Sequence, residues 1–149
     1  MRAVIQRVTE AHVIVHGEIC AQIGGGICAL IGVSQEDALE DALWIARKIA
    51  SLRIFDDSNG KMNLSLQDTE GTALVISQFT LYGDARKGRR PSFTEAAENK
   101  QAEIQYRNVC DALSREGVVV RTGIFGAHMA VSLINDGPVT LLLDSKKNI

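Results

Sequence analysis

The sequence predicts an α/β (α+β) fold: a mixed, mostly antiparallel, barrel-like sheet with two main helices packed on one side, in a single domain over residues 1–149. Three observations lead there. Both ends of the chain are rich in short β-branched runs, whereas two central stretches carry apolar residues at helical spacing. The composition, 46% hydrophobic and 23% charged with a formal net charge of -2, is that of an ordinary globular protein. No repeat and no Pro/Gly/Ser linker divides the chain, and a chain of this size buries roughly 68% of its unfolded surface.

Taken in order, residues 2 to 33 read as strands: Val4, Val8 and His12-Val13-Ile14-Val15, then a turn at His16-Gly17-Glu18 before Ile19. Gly24-Gly25-Gly26 reads as a tight turn into the buried strand Ile27–Ile31; it lacks the Lys-Ser/Thr ending of a phosphate loop. Ser34 and the acids after it resemble a helix cap, followed by Leu39, Leu43, Ala46, Ile49 and Leu52 on one face, with Trp44 just beside that stripe. Asp56–Gly60 is a turn, and Ala73–Ile76 a short buried strand running straight on into Ser77–Tyr82. Ser92-Phe-Thr-Glu95 has the spacing of a capping box, so the second helix is expected from there to about Arg115, with Ala97, Ile104, Val109 and Leu113 inward and Gly117 as its stop. Strands follow over 118–120, 129–134 and 139–143, the last two joined by a hairpin-like turn at Asn135-Asp136-Gly137-Pro138.

Several function classes are excluded at this stage. No stretch reaches the ~18 apolar residues of a membrane helix, and the opening, broken by Arg7, Glu10 and His12, is not a signal peptide. Cys20, Cys28 and Cys110 have no paired spacing, so they read as small core residues in a cytoplasmic protein. His12 and His16 share a strand face about 13 Å apart, too far to share an ion; no metal and no cofactor is expected. A Ser-His-Asp set can be written from Ser77, His128 and Asp136, but nothing near them resembles a nucleophile elbow.

Two segments carry chemistry. Ser77-Gln78-Phe79-Thr80 puts three polar side chains at the end of a buried strand, where each unpaired group costs about 1–3 kcal/mol; a strand end opening into a pocket removes that cost. Arg86-Lys87-Gly88-Arg89-Arg90 gathers four cations into five residues, enough to hold a polyanion on a mildly acidic protein.

Ser77-Gln-Phe-Thr-Leu-Tyr82 together with Asn135-Asp-Gly-Pro-Val-Thr140 resembles the paired signature of the D-aminoacyl-tRNA deacylases, also called D-tyrosyl-tRNA deacylases. Met1–Val8, Gly88–Phe93 and Thr122–Met129 match in the same order, so the resemblance covers essentially the whole chain. The related class acting on L-alanyl-tRNA carries different residues at both motifs.

The resemblance implies a cytoplasmic hydrolase that splits the ester of D-aminoacyl-tRNA, and of glycyl-tRNA, in translation quality control. It implies a homodimer with its active sites at the interface and aminoacyl-tRNA as the partner. Ser77, Gln78, Phe79 and Thr80 would line the ester pocket, with backbone N–H groups around Phe79 as the oxyanion hole. Gly137-Pro138, with a cis bond that costs only about 0.5–1 kcal/mol before proline, would enter from the other subunit and reject L-residues by contact. Arg7 would hold that loop, Phe125 and Met129 would lie near the adenine, and Arg86, Lys87, Arg89 and Arg90 would meet tRNA phosphates. Thr80 as nucleophile and a water assisted by the ribose 2′-hydroxyl both remain open. Two other classes are weighed: a non-catalytic RNA-binding module, disfavoured by an aromatic content of 5%, and a small-molecule esterase, which would leave the basic run idle.

Overall fold

A computed structural model describes all 149 residues. The element order is β1 (Arg2–Val15), β2 (Glu18–Ile23), β3 (Gly26–Gly32), α1 (Leu39–Ser51), β4 (Phe55–Asp56), β5 (Met62–Leu64), β6 (Thr72–Ser77), a 3-10 turn (Phe79–Tyr82), α2 (Asn99–Arg115), β7 (Val119–Thr122) and β8 (Ala130–Asp144). The main sheet runs β2-β1-β3-β6-β7, with β8 on the other edge of β1. β1 pairs antiparallel with β2, β3 and β8, whereas β3–β6 and β6–β7 are parallel. The sheet curls until β2 approaches β6 and β7, which makes the expected barrel-like, mostly antiparallel arrangement. The small β4–β5 hairpin has too few residues to show a period and was not anticipated.

Strand alternation builds two cores. In β3, Ile27, Ala29 and Ile31 face the helices while Cys28 and Leu30 face the inside of the curl; in β6, Ala73 and Val75 face the helices and Leu74 and Ile76 the inside. α1 contributes Ala42, Ile45, Ala46 and Ile49 to the helix-side core, and α2 contributes Ala102, Tyr106, Val109 and Leu113. Both helices therefore cover one face of the sheet. Trp44 packs partly against this core, with Lys48 over its ring. Burial alone raises the Cys28 thiol to about 11, and burial is the largest cause that raises Cys110 to about 11.

Several sequence expectations need correction. Cys20, read as a small core residue, is exposed. Ser34 does not cap α1, which begins at Leu39; the Ser34 N–H donates to Asp37, and the Ala38 N–H to Asp41. Ser92 does not cap α2, which begins at Asn99, because Ser92 exchanges two backbone hydrogen bonds with Asp84. Both failures share a cause: Ser34 and Ala96 form a β-bridge, so the segments before the two helices pair with each other rather than coil. Leu39 and Ile104, expected inward, are about half exposed at 48% and 52%: Leu39 is the first residue of α1, and Ile104 lies off the face that Tyr106–Leu113 define. The Ser77–Tyr82 run is not one strand; β6 stops at Ser77 and the chain turns into the 3-10 segment.

Asn135–Pro138 is no hairpin. Residues on both sides of it pair with the same strand, Asn135 with Val8 and Thr140 with Gln6, so the four intervening residues bulge from one continuous β8 beside Arg7. Gly117 does stop α2 in the left-handed region, at φ 84°, with the Val118 N–H returning to Leu113 O.

Candidate active site

The end of β6 opens into a cavity of about 510 Å³. Ser77, Gln78 and Phe79 form one wall, and Phe125, Ala127 and Met129 from the segment after β7 form the other. Residues distant in sequence meet here because β6 and β7 lie side by side and the chain beyond β7 folds back over the strand end. The Gln78 N–H is bonded to Ile31 O at 2.7 Å, which ties the first residue beyond β6 to β3. Arg2 braces the 3-10 turn from behind: it donates to Leu81 O at 3.0 Å and lies 4.5 Å from the centre of the Tyr82 ring.

Thr80 does not line the cavity. It is exposed, and its hydroxyl is hydrogen-bonded to the Gln78 side chain, an amide and not a base. Ser77 and His128 do share the cavity wall, but Asp136 lies elsewhere, so no Ser-His-Asp set forms. The sequence reading gave no role to Phe93, which meets Phe79 edge-on with ring centres 5.1 Å apart, and set His128 aside with the Ser-His-Asp set, although it is the one ionisable side chain in the cavity lining. Phe93 had a signal, since it ends the Gly88–Phe93 run.

The basic residues sit on a loop closed at its base by the Asp84–Ser92 pairing, one residue before Phe93. Arg86 is engaged within the loop, its guanidinium making two 2.8 Å contacts with Asp84 that hold the carboxyl well below the usual range. Lys87, Arg89 and Arg90 are exposed and form no ion pair.

Arg7, Gly137 and Pro138 form a second assembly. Arg7, only 7% exposed, donates to Ile54 O at 2.7 Å and to Asp136 O at 3.3 Å, and pairs with the carboxylates of Asp56 and Asp136 at 3.3 and 3.1 Å. Asn135 closes the base of the bulge, its amide donating to Arg7 O and Val139 O at 2.9 Å each. Its carbonyl accepts from Thr140, which in turn accepts from Gln6. Gly137 has φ 122° and is joined to Pro138 by a cis peptide; both residues are exposed. This bulge lies three strand spacings, about 14 Å, across the sheet from Ser77 and about 13 Å along it, from the level of Ala3 to that of Arg7.

Comparison with known proteins settles the family. The family model described as D-Tyr-tRNA(Tyr) deacylase matches residues 4–144. The chain belongs to that family. It is 56% identical over 147 residues to the D-aminoacyl-tRNA deacylase of Fervidobacterium nodosum, covering 99% of each chain. It is also 56% identical to the one of Bacillus velezensis, covering 99% of this chain and 100% of the other. Among solved structures it is similar to the c-Myc DNA Unwinding Element Binding Protein, with a TM-score of 0.91, 42% identity, and coverage of 97% of this chain and 98% of that one. A probable eukaryotic D-amino acid tRNA deacylase shares the fold, with a TM-score of 0.80 at 18% identity over 95% and 97% of the two chains. The deacylase family model thus spans both assemblies, the cavity at the end of β6 and the clamped bulge of β8.

Proposed function

We propose that this chain hydrolyses the ester linking a D-amino acid, or glycine, to the terminal adenosine of tRNA, and that it does so as a homodimer. The observation that carries the reading is the convergence of Ser77, Gln78 and Phe79 with Phe125 and Met129 on one cavity, on an apolar floor with only a few polar groups. Water attacks the ester carbonyl, the tetrahedral intermediate collapses, and the ribose oxygen leaves with a proton, releasing the free amino acid. The negative charge of the intermediate falls to the backbone N–H of Phe79, because the Gln78 N–H is already bonded to Ile31 O and the first amide of a helical turn has no partner within that turn. Thr80 is no nucleophile in this scheme, since its hydroxyl meets an amide; the 2′-hydroxyl of the terminal ribose assists the water instead.

Chirality is read by the partner's bulge. Gly137-Pro138 is exposed and too far from the cavity of its own chain to touch a substrate there. The face of β8 that carries Val131 and Leu142 is apolar: Leu142 is 64% exposed, and Val131, also exposed, borders the cavity itself. A second copy laid on that face covers it and brings its own Gly137-Pro138 to the cavity. An L-side chain would collide with that bulge, while a D-side chain points away and glycine has none, so both of the latter are hydrolysed. Lys87, Arg89 and Arg90 take the phosphates next to the terminal adenosine, and the enzyme works in the cytoplasm, where tRNA is charged and used.

Deacylation of D-Tyr-tRNA and L-Tyr-tRNA by the purified protein tests the proposal. Release of D-tyrosine with L-tyrosine retained is expected. Equal rates would remove the chiral reading, binding without release would indicate an RNA-binding module, and turnover of simple esters alone would indicate an unrelated esterase.

A further inference from the structure

Tyr106 lies beneath the cavity without lining it. Its ring is buried on α2, 5% exposed, and its centre is 5.9 Å from that of Phe125. Its hydroxyl donates to Val75 O at 2.8 Å. The same carbonyl accepts the N–H of Gly123 at 3.4 Å, just where the β6–β7 ladder ends at Val75–Thr122. Val75 O is therefore the point at which α2, β6 and the segment carrying Phe125 and Met129 are joined. Otherwise the segment is held by packing, Phe125 against the helix-side core and Ala127 and Met129 against the inner one, and the Gly123 bond is long. Packing at the joint is tight, because a Cβ placed on Gly123 would lie 2.5 Å from Met129 Sδ.

We propose that Tyr106 is a positioning residue for the nucleotide side of the cavity. Through its hydroxyl it fixes the strand that ends in Ser77, and through its ring it fixes Phe125 two residues beyond Gly123. The spacing between the two walls, and with it the fit of the terminal adenosine, follows from this one side chain. The inference rests on the deacylase reading for the identity of the ligand, but not for the geometry. A buried phenol with both functions engaged has no need of a cavity beside it; what marks Tyr106 is that its two contacts belong to opposite walls of the same one.

The test is Tyr106→Phe, which keeps the ring and removes only the O–H. Loss of one buried hydrogen bond predicts a KM for D-Tyr-tRNA raised about fivefold, with kcat within about twofold of wild type. Val109→Ala, which truncates a fully buried side chain on the same helix away from the cavity, serves as the control: it should lower the melting temperature and leave KM unchanged. An unchanged KM in the folded Tyr106→Phe variant overturns the proposal. So does a KM change of equal size in Val109→Ala, which would reduce Tyr106 to general stability. Binding of 5′-AMP, followed by NMR shifts of the Phe125 and Met129 side chains, separates this proposal from the reaction. If the wild type binds AMP but hydrolyses no aminoacyl-tRNA, the deacylase reading fails while weaker AMP binding by Tyr106→Phe still supports the positioning role. If AMP binds both proteins equally, the positioning role fails whatever the activity.

Discussion

The cavity at the end of β6 and the bulge in β8 lie on the same sheet, yet they are built in opposite ways. The bulge is clamped from beneath: Arg7, itself anchored by Ile54 and Asp56, makes two contacts with Asp136, and Asn135 ties the two ends of the bulge together. The cavity walls are held by packing and by a few backbone bonds, with Ser77, Phe125 and Met129 making no side-chain hydrogen bond. Under the proposed function, a surface that excludes a side chain must not yield, whereas a pocket that admits many amino acids needs only a backbone donor at one place. The more tightly bonded of the two regions is the one the proposal assigns to rejection.

The largest effect expected concerns the softer region. A tRNA ending in 2′-deoxyadenosine should be hydrolysed more than about 100-fold more slowly than the ordinary tRNA, the size usual for loss of a proton-transfer partner, while Thr80→Ala retains turnover within about tenfold. Single-turnover rates on the two tRNAs check this; a dead but folded Thr80→Ala enzyme that still binds tRNA would restore the hydroxyl as nucleophile.

Next comes the rigid region. Gly137→Ala puts a side chain on a residue at φ 122°, with the new Cβ 2.8 Å from Val139 Cγ2 and 3.2 Å from Arg7 Nη2. A strain of about 1–3 kcal/mol predicts roughly a tenfold or greater loss of D-Tyr-tRNA hydrolysis. Measurement of the dimer mass alongside the rate separates a distorted bulge from a lost interface. If the variant is a dimer of normal activity, the contrast between the two regions is wrong.

A smaller effect belongs to the loop beside the cavity. Because Arg86 is already paired with Asp84, neutralising Lys87, Arg89 and Arg90 should lower the salt slope of tRNA binding by about 2, at ~0.7 per contact, and neutralising Arg86 alone should barely change it. Equal contributions from all four cations would show that the Asp84 pair opens on binding.

The smallest concerns a network remote from both regions. Burial works to raise Asp41, but the Ala38 N–H, the Ser145 hydroxyl and Lys146 outweigh it and bring the carboxyl to about 2, below its ordinary value of 3.8. The folded value is the depressed one, so this stabilisation is complete above pH 4 and is lost as the pH falls from about 4 to about 2. Asp41→Asn should cost about 2 kcal/mol at pH 7 and progressively less across that window, with activity at pH 7 unaltered. Urea melts at several pH values follow it.

Much of this was legible in the sequence where the signal is local. The apolar runs of β3 and β6, the helical stripes, the Gly117 stop and the abrupt polarity of Ser77–Thr80 each depend on a few neighbouring residues. What the sequence concealed depends on pairing between distant segments. Ser34 and Ser92 carry good cap signatures, but a capping bond worth about 1 kcal/mol gives way when the two segments can bridge each other and close the basic loop. The turn chemistry of Asn135–Pro138 is that of a hairpin, and only the continuity of β1 opposite both flanks makes it a bulge. Tyr106 is hidden for the same reason, its contacts lying with residues distant in sequence.

The placement of β1 has a consequence for synthesis. One edge of this strand is covered early, by β2 and β3, but the other waits for β8, which is the last strand made. At ordinary translation speeds the interval is on the order of ten seconds. Throughout it the nascent chain displays an open strand with Val4, Val8 and Ile14 along it, a template for pairing with any neighbouring chain on the same message. Slower decoding of the region between β3 and β8 should therefore lower the soluble yield even though no residue changes.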